Sequence, residues 1–501
     1  MRNGSVWPVA LAMLLPLSGC QEHRVAERPS IEPTRPPNII VIYSDDQGFA
    51  DLGVHGVDSD IRTPQLDAMA QAGVLCTRGY VSAPQCVPSR AGLLTGRYQQ
   101  RFGVDDNLNG PLPLEQLTLA ELLSPADYVC GQVGKWHLNA IGNPGAQRDT
   151  ADAGDGDERD EMQGRHDPFL PFGQGFHEYF CGGMNSFVAS HDLRGQRLRD
   201  APEIVTDRRF RVEVQTDAAL NFIRRHAKEP FFLYLAYFTP HVPLESPEPF
   251  FSETPPELPL ERRQALAMMA AMDNGIGRIR SLLRDQAIEQ DTLVFFISDN
   301  GAPLLKGAWD GSLNTPLVGE KGMLTDGGVR VPWLVEWPGT VPAGARYEQP
   351  VSSLDVASTA IAAAGLPPDA RLDGVDLVPY LDGSRSDPPH DAIFWRWRSQ
   401  AAILKDGWKL IRLGADERYL FDLSSPEGER QNRLNQFPDR AADLERRLLD
   451  WDSTLQSPGL PVEVHRQDAL FYRVHLDRER AGDQSQLEQE SATRVNAAGE
   501  P

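Results

Sequence analysis

Residues 38–46 read NIIVIYSDD, and this stretch decides how the rest of the chain is interpreted. The apolar run 38–44 has the length and composition of a buried β-strand. Two acids, Asp45 and Asp46, follow it at once, so they are expected where that strand ends. The stretch therefore predicts a core strand with a polar end that can carry chemistry.

The same arrangement recurs three times further along the chain. Strand-like runs cover residues 127–133, 230–238 and 292–297, and helical patterns cover residues 216–226 and 262–284. Alternating strands and helices indicate an α/β fold with a mainly parallel sheet, which binds ligands beyond the carboxyl ends of its strands. The polar residues that follow these runs, and that we expect to meet Asp45 and Asp46 at one edge, are Lys135, His137, His241, Asp299 and Asn300.

The acidic residues of this set predict a metal site. Asp45, Asp46, Asp299 and Asn300 offer only oxygen ligands, which suits a hard cation such as calcium, with magnesium as the alternative. Without a cation, three neighbouring carboxylates would repel one another and raise their pKa values. Each acid taken singly is more often a loop residue or a helix cap, but a set at strand ends favours a metal.

A second informative stretch, residues 86–97, reads CVPSRAGLLTGR. Pro88 and Ser89 suit the first turn of a helix, so Cys86 lies where free backbone N–H groups and the helix dipole favour an anion. Arg90 follows one turn later. A lone buried cysteine is usually structural, and that alternative stands beside the functional one.

Lys321 lies in a glycine-rich stretch, residues 319–332, that reads GEKGMLTDGGVRVP. The pair Gly327 and Gly328 permits tight backbone turns that can aim the lysine into a site. A lysine taken singly is usually solvated, and a single histidine such as His137 or His241 is more often a structural residue than a catalyst.

Together these motifs resemble the formylglycine-dependent sulfatases, the arylsulfatase-like branch of the alkaline phosphatase superfamily. The resemblance runs from residue 37 to about residue 430 with the motifs in the family's order, and Asp326, where many members have Glu, is a small departure. It implies a large mixed, mainly parallel sheet sandwiched by helices, with a smaller C-terminal domain of antiparallel sheet plus helix. It also implies that Cys86 is oxidised by a separate formylglycine-generating enzyme to an aldehyde (3-oxoalanine), whose hydrate attacks sulfur through one hydroxyl and expels sulfate through the other.

The resemblance implies a role for each site residue in the hydrolysis of sulfate esters. Arg90, Lys135 and Lys321 would neutralise sulfate charge. His241 would protonate the departing alcohol, and His137 would take the proton of the second hydroxyl. One calcium ion would polarise a sulfate oxygen and be held by Asp45, Asp46, Cys86, Asp299 and Asn300. Asp299 would also accept a proton from the attacking hydroxyl.

The expected substrate is a sulfated carbohydrate. Residues outside the sulfate site that we expect to set sugar identity are Asn107, Asn185, His191 and Trp309. One alternative is a phosphomonoesterase or phosphonate monoester hydrolase, but these would place a histidine where Asn300 follows Asp299. Another is a non-catalytic glycan-binding lipoprotein, which would be expected to have lost some of the site residues; all are present.

Composition and charge limit the partners. The chain has 501 residues, 41% of them hydrophobic, and a formal net charge of −22, which argues against nucleic acid or an anionic membrane surface as a partner. Besides Cys20 and Cys86, the cysteines are Cys76, Cys130 and Cys181. One disulfide plus a buried thiol is possible, and the pairing stays open.

The N-terminus predicts export. Arg2 and the apolar residues 7–17 read as a secretory signal that is too short to span a bilayer. Residues 17–20 read LSGC and resemble a bacterial lipoprotein box, so residues 1–19 are a predicted signal peptide and Cys20 a predicted lipid anchor. Gln21 favours the outer membrane, facing the periplasm or the cell surface; simple secretion is the alternative.

The remaining chain is divided as follows. Residues 394–398 and 408–412 alternate large apolar with basic residues, which suits antiparallel strands with one packed face. Arg396 and Arg398 would either contact a sulfated glycan or be solvated on the outer face. The predicted segments are a tether at 20–36, a catalytic domain at 37–388, a C-terminal subdomain at 389–478 and a disordered tail at 479–501, with a solvated acidic insertion at 152–161.

Overall fold

The computed structural model describes Met1, Gly4 and residues 35–139, 167–305, 307–458 and 462–476. The chain divides into two units, Met1–Thr34 and Arg35–Pro501, and every element below belongs to the second. Within the described ranges, no helix combines the length and the apolar character needed to cross a bilayer.

Several predicted segments lie outside the described residues and stay predictions. They are the apolar signal stretch 7–17, Cys20, residues 20–34 of the tether, the acidic insertion 152–161 and the tail 479–501.

The large sheet is built around the strand that the sequence singled out. Strand β1 (Asn38–Asp45) pairs in parallel with β8 (Phe231–Pro240) on one side and with β9 (Thr292–Ser298) on the other. Strands β4 (Val129–Gly134) and β5 (Glu178–Cys181) continue the parallel part beyond β8. The four strands predicted from the sequence are therefore all present and adjacent.

Shorter strands extend this sheet at both sides. They are β2 (Val74–Cys76), β6 (Ser186–Ala189), β7 (Glu203–Thr206), β10 (Trp333–Glu336) and β11 (Ala345–Tyr347). The order is β11-β2-β10-β9-β1-β8-β4-β5-β6-β7, and β10, β6 and β7 make antiparallel pairs. The sheet is thus mixed and mainly parallel, as predicted. A separate pair joins β3 (Gly79–Tyr80) to β12 (Val351–Ser352).

Helices cover both faces of the sheet. Helices α2 (Cys86–Thr95) and α7 (Asp355–Ala363) pack on one face, in one apolar core. Helices α1 (Pro64–Ala72), α4 (Arg211–His226) and α5 (Leu260–Asp285) pack on the other, in a second core. Short helices are α3 (Leu119–Leu122), α6 (Asp326–Val329) and α8 (Val378–Leu381), and 3-10 turns lie at Gly53–His55, Gln99–Phe102, Asn107–Asn109, Ser124–Ala126, Pro171–Gln174 and Phe250–Glu253.

Strand β1 belongs to both cores. Ile39 and Val41 point into the core with α2, whereas Ile40 and Ile42 point into the core with α4 and α5. Successive side chains of a strand alternate between faces, so an unbroken apolar run requires cover on both sides. Each buried aliphatic side chain contributes about 1.5–3 kcal/mol, which explains why β1 holds the centre.

The C-terminal part forms a four-stranded antiparallel sheet, as predicted. Its strands are β13 (Ile393–Trp397), β14 (Gln400–Lys405), β15 (Trp408–Leu413) and β16 (Glu417–Asp422). Helix α9 (Pro438–Asp452) follows them, and α10 (Val462–Leu476) is the last described element. The predicted boundary between residues 388 and 389 falls between α8 and β13 and stays a prediction.

The expectation that only one face of this sheet is packed was wrong. Trp395 and Trp397 enter the core of the main sheet, while Ala401 and Ile403 pack against α9 on the opposite face. Because α9 covers the second face, Arg396 is only 4% exposed. It is neither a solvated charge nor positioned to contact a glycan; its guanidinium pairs with Asp105 instead.

Candidate active site

Two paired strands bring the predicted carboxylates together. Ser44 of β1 is in register with Ser298 of β9, so the polar residues after each strand leave the sheet side by side. Asp46 adopts a left-handed backbone with φ of 63°. Its N–H donates to Asp299 Oδ1 at 3.1 Å. Backbone register and one turn therefore aim these carboxylates at a common point.

Cys86 joins this cluster from the first residue of α2. Its Sγ donates to Asp45 Oδ1 at 3.6 Å. The candidate ligand atoms of Asp45, Asp46, Cys86 and Asp299 all lie within 4.8 Å of one another. Asn300 donates through Nδ2 to Asp46 Oδ1 at 2.6 Å, while its Oδ1 is buried with no hydrogen-bond partner. Three carboxylates and an unpaired amide oxygen fit a hard cation.

Two buried cations and one half-buried cation surround the carboxylates, each paired with a different acid. Lys135 Nζ donates to Asp45 Oδ2 at 2.7 Å. Arg90 Nη2 donates to Asp299 Oδ2 at 2.7 Å, and Lys321 Nζ donates to Asp46 Oδ1 at 2.7 Å. Positive groups therefore already line the place where an anion would meet Cys86.

The crowding of charges separates the pKa values of the two strand-end acids. Burial would raise the pKa of Asp45, but Lys135, His241 and Arg90 hold it well below the ordinary value. Burial and the neighbouring Asp45 carboxylate raise the pKa of Asp299 to about 7. The three buried carboxylates therefore need a further cation nearby if all of them are to be ionised.

The thiol of Cys86 is poorly suited to act as a thiolate. Burial raises the pKa of the thiol to about 12, because the effect of burial exceeds the lowering by the positive charges of Lys135 and Lys321. A thiol of that pKa stays protonated near neutral pH, and thiolates rather than thiols are nucleophiles.

The two predicted histidines approach from neighbouring strands. His241, after β8, has Nε2 at 3.8 Å from Asp46 Oδ2, and its Nδ1 lies 2.7 Å from the Val242 carbonyl oxygen. His137, after β4, has a buried Nδ1 without a partner. Burial and the charge of Lys135 hold the pKa of His137 well below its ordinary value. Both rings therefore present a nitrogen that can exchange a proton.

The glycine pair behind Lys321 acts differently from the expectation. A Cβ at Gly327 would lie 2.2 Å from the Gly319 carbonyl oxygen, and one at Gly328 would lie 2.1 Å from that of Met323. These glycines allow the backbone of α6 to approach the loop closely rather than supplying a turn with positive φ. The positive φ values belong to Gly319 and Gly322, at 88° and 87°.

The residues predicted to select the sugar are only partly brought to the site. Asn107 lies beside it, since its Oδ1 accepts the Val87 N–H at 3.0 Å. His191 instead lies 3.5 Å from Glu178 and lines a small cavity with Phe222 of α4, on the face of the sheet opposite to α2. Asn185 lies in the turn between β5 and β6, and the Trp309 indole donates to the Ser312 carbonyl.

Other residues of the site were not found from the sequence. The Tyr234 hydroxyl accepts from Arg90 Nη1 at 3.3 Å, and the Tyr43 hydroxyl lies 2.8 Å from Ser89 Oγ. Both tyrosines lie within apolar strands, where an aromatic residue gives no signal of function. Asp310 is buried with Oδ2 unpaired, and burial and Asp46 raise its pKa well above the ordinary value.

The four described cysteines near the cores are separate thiols. Cys76, Cys86, Cys130 and Cys181 are all buried and none of them is bonded to another. The possibility of a disulfide is therefore not realised within the described part of the chain.

Comparisons with known proteins agree with this geometry. A family model described as "Sulfatase" matches residues 37–366, and one described as "N-sulphoglucosamine sulphohydrolase, C-terminal" matches residues 319–452. An N-acetylgalactosamine-6-sulfatase of Canis lupus familiaris is 33% identical over 430 residues, which cover 76% of this chain and 75% of that protein.

Two further similarities cover most of the chain. Arylsulfatase A of Homo sapiens is 32% identical over 390 residues, 72% of this chain and 71% of that protein. The crystal structure of Ps i-CgsB in complex with k-i-k-neocarrahexaose has a TM-score of 0.71 and 29% identity, covering 90% of this chain and 99% of the other.

Proposed function

The chain belongs to the sulfatase family of sulfuric ester hydrolases, and we propose that it removes sulfate groups from a sulfated oligosaccharide or polysaccharide. One observation carries the proposal: Cys86 begins a helix among three carboxylates and three cations. A carbohydrate substrate is supported by the relatives, one named for a sulfated sugar and one crystallised with a neocarrahexaose.

The proposal includes modification of Cys86 to formylglycine by a separate maturation enzyme. Sulfatases generally use this residue, and the CVPSR motif of residues 86–90 resembles the family's signature. A protonated thiol of high pKa is not a nucleophile, so the position needs other chemistry. One hydroxyl of the hydrated aldehyde would attack sulfur and carry the sulfate. Loss of the proton from the second hydroxyl would then re-form the aldehyde C=O and break the C–O bond to sulfate.

A calcium ion fits the oxygen ligands of Asp45, Asp46, Asp299 and Asn300, with the modified Cys86 beside them. The fit rests on two observations. Asn300 Oδ1 has no hydrogen-bond partner. Burial and the neighbouring Asp45 carboxylate raise the pKa of Asp299, so a nearby cation would favour its ionised form. When bound, calcium supplies Lewis-acid polarisation of a sulfate oxygen.

The cationic side chains bind and stabilise the sulfuryl group. Arg90 is fixed by Asp299 and by the Tyr234 hydroxyl, so its direction does not depend on substrate. Lys135 and Lys321 stand at the two other acids. Charges oriented in advance stabilise the negative charge that develops as the S–O bond breaks.

Proton transfer is assigned to the two histidines and Asp299. Nδ1 of His241 donates to the Val242 carbonyl, so the ring acts as the acid in its doubly protonated form, with a second proton at Nε2, the nitrogen that faces Asp46. That Nε2 proton goes to the departing sugar oxygen, which leaves the neutral ring with its proton on Nδ1. His137 receives the proton of the second hydroxyl at an unpaired ring nitrogen. Asp299, whose carboxylate lies within 4.8 Å of Cys86 Sγ, accepts the proton of the attacking hydroxyl.

We place the enzyme outside the cytoplasm, anchored by lipid at Cys20 to a membrane, most simply the outer membrane. The support is the order of Arg2, the apolar residues 7–17 and the LSGC box at 17–20. Acyl chains rather than a spanning helix would then hold it. Replacing Cys20 with Ser should release the protein into the soluble fraction or block its processing. Unchanged membrane association would refute this anchor.

A phosphonate or phosphate monoester hydrolase is the second candidate for the same fold. The residue after Asp299 separates the two, because an amide oxygen at Asn300 suits calcium and a histidine would suit a transition metal. Rates on a nitrophenyl sulfate and a nitrophenyl phosphate, each with calcium or manganese, decide between them. We expect sulfate release with calcium to be the faster reaction. A faster phosphate reaction with manganese would overturn the proposal.

Release of sulfate from a panel of sulfated oligosaccharides then identifies the substrate. Chelation of the metal should abolish this release, and addition of calcium should restore it. Activity that survives chelation would remove calcium from the proposal while leaving sulfate hydrolysis in place.

A further inference from the structure

The residues that carry Lys321, 319–325, form a loop between the site and the C-terminal part of the chain; we call them the Lys321 loop. On the site side, Lys321 Nζ contacts both carboxylate oxygens of Asp46, at 2.7 and 2.8 Å, and lies 3.4 Å from Cys86 Sγ. The position of this loop therefore sets where one of the sulfate-binding charges stands.

The backbone of the loop donates from Lys321 to the Ala302 carbonyl and from Gly322 to the Pro84 carbonyl. Its other side is contacted by one hydroxyl of α10. Tyr472 is fully buried, and its hydroxyl accepts the Leu324 N–H at 2.8 Å. The same hydroxyl donates to Gln400 Oε1 at 2.7 Å, and Gln400 Nε2 donates to the Gly322 carbonyl at 2.9 Å. Tyr472 and Gln400 thus contact the loop backbone at Leu324 and Gly322, both on the C-terminal side of Lys321.

A second contact from α10 reaches the residue just before the lysine. His475 Nε2 lies 2.6 Å from Glu320 Oε1. The other oxygen, Glu320 Oε2, accepts the N–H groups of Leu304 and Leu305 at 2.6 and 3.0 Å. Glu320 is buried and is followed directly by Lys321, so α10 restrains the loop on both sides of the lysine.

Helix α10 lies beyond both matched regions. It spans Val462–Leu476, whereas the two family models end at residues 366 and 452. Its polar contacts divide between two places. In the C-terminal sheet, Asp468 accepts from Ser399 Oγ and Arg473 pairs with Glu417. At the Lys321 loop, Tyr472 and His475 both make contacts. A helix whose hydroxyl and imidazole both end on one catalytic loop has the contacts of a positioning element.

We propose that α10 positions Lys321 for the sulfatase reaction through Tyr472, with His475 as a second support. Tyr472 is a positioning residue, since it acts through the loop backbone and does not touch the reacting groups. The inference rests on the proposed function, in which Lys321 stabilises charge on the sulfuryl group. Displacement of a charge by a fraction of its contact distance weakens such stabilisation, and geometry errors of about 1 Å can cost a hundredfold in rate.

The substitution Tyr472→Phe tests the proposal, because it keeps the ring and removes only the hydroxyl. We expect kcat on a nitrophenyl sulfate to fall by about tenfold, in the range found when residues that orient site groups are removed. The informative measurement is the same substitution in a Lys321→Ala background. There the hydroxyl has no lysine to position, so Tyr472→Phe should cause no further loss.

Tyr98→Phe is the matched control. The buried Tyr98 hydroxyl accepts the Phe394 N–H at 3.2 Å and so also joins the C-terminal sheet to the core, but it does not contact the Lys321 loop. We expect this variant to keep wild-type kcat, with a melting temperature lowered as much as that of Tyr472→Phe.

Two results would overturn the proposal. Unchanged kcat in Tyr472→Phe would show that the loop holds itself, and equal losses with and without Lys321 would show a general structural role. An inactive wild-type protein would instead refute the proposed function. If Tyr472→Phe does not fold, His475→Ala should lower kcat severalfold and His475→Gln, whose amide can donate to Glu320, should restore it; equal kcat in both would count against α10.

Discussion

The two halves of the site are held by different means. Asp45 ends β1, and Asp46 and Asp299 directly follow β1 and β9, which pair in register, so the backbone of the central sheet fixes all three. Lys321 lies on a loop whose backbone donates to the Ala302 and Pro84 carbonyls. Side chains from far along the chain, Tyr472 among them, also contact this loop. The first half is fixed by the sheet, and the second also depends on elements near the C-terminal end of the described chain.

This difference predicts which substitutions should have effects confined to the residues around them. Substitutions at the strand ends should alter chemistry without moving anything else, because the ladder of β1 and β9 stays intact. Changes in the C-terminal part should reach the site through the Lys321 loop, through the contact of Trp397 with Gln85 or by unfolding the small sheet. Variants ordered by expected effect can test this division.

The largest effect is expected at Cys86, which contacts both halves, Asp45 at 3.6 Å and Lys321 at 3.4 Å. Cys86→Ala should abolish turnover and leave the melting temperature close to wild type, since a pocket-wall thiol contributes little packing. Mass spectrometry of the wild-type peptide should find the aldehyde rather than the thiol. Full activity with an unmodified Cys86 would end the mechanism.

The next largest effects are expected at His241 and Lys321. The loss of activity should depend on the leaving group for His241→Ala but not for Lys321→Ala. His241→Ala should lower kcat/KM by about a hundredfold to ten-thousandfold on an alkyl sugar sulfate, whose alkoxide needs a proton. It should be much milder on a nitrophenyl sulfate. Lys321→Ala should damage both reactions alike, because sulfuryl charge is common to them. Equal losses for His241→Ala on the two substrates would exclude it as the acid.

A third variant tests the C-terminal sheet through stability alone. Arg396→Ala removes the guanidinium that pairs with the buried Asp105 through two hydrogen bonds of 3.1 Å. Leaving a buried carboxylate without its partner typically lowers the free energy of unfolding by about 3–5 kcal/mol. Denaturant unfolding measures this. The folded fraction should keep wild-type kcat, and a change in kcat at full folding would place Arg396 in the site after all.

The smallest effect is expected at Arg398, two residues away on the same hairpin. Its side chain is 24% exposed and pairs with Asp106 through Nε at 2.6 Å. Trp397, on which its guanidinium stacks, donates to Gln85 next to Cys86. Arg398→Ala should raise KM for a sulfated oligosaccharide about fivefold. A change of that size corresponds to the loss of one partly exposed ion pair. KM for a nitrophenyl sulfate should not change, and a rise there would contradict a role in sugar binding.

The sequence predicted the first half of the site well. The apolar runs correctly marked β1, β4, β8 and β9, and parallel topology brought their polar ends to one edge, because an apolar run and its end are local features. Boundaries were less accurate: α4 begins at Arg211 rather than at residue 216, and β4 at Val129 rather than at 127. Asp127 has a φ of 58° and closes a preceding turn, which no run of apolar residues reveals.

The second half was outside the reach of local patterns. Alternating residues in β13 suggested one solvated face, but α9 covers it and buries Arg396. Burial of that kind depends on a helix some forty residues away. Tyr472 likewise gave no signal, since a tyrosine on a helix is common and its two hydrogen bonds join residues far apart in sequence.

The order of these elements along the chain also determines when the site can be completed during synthesis. Folded Cys86 is only 1% exposed, so the proposed maturation enzyme would need a chain in which the site has not yet closed. Synthesis at roughly 5–20 residues per second takes about 20–75 s to pass from residue 97 to residue 472. Throughout that interval the CVPSR segment exists while the helix that completes the site does not. Late arrival of α10 would thus keep the thiol within reach for longer than the local strands and helices alone require.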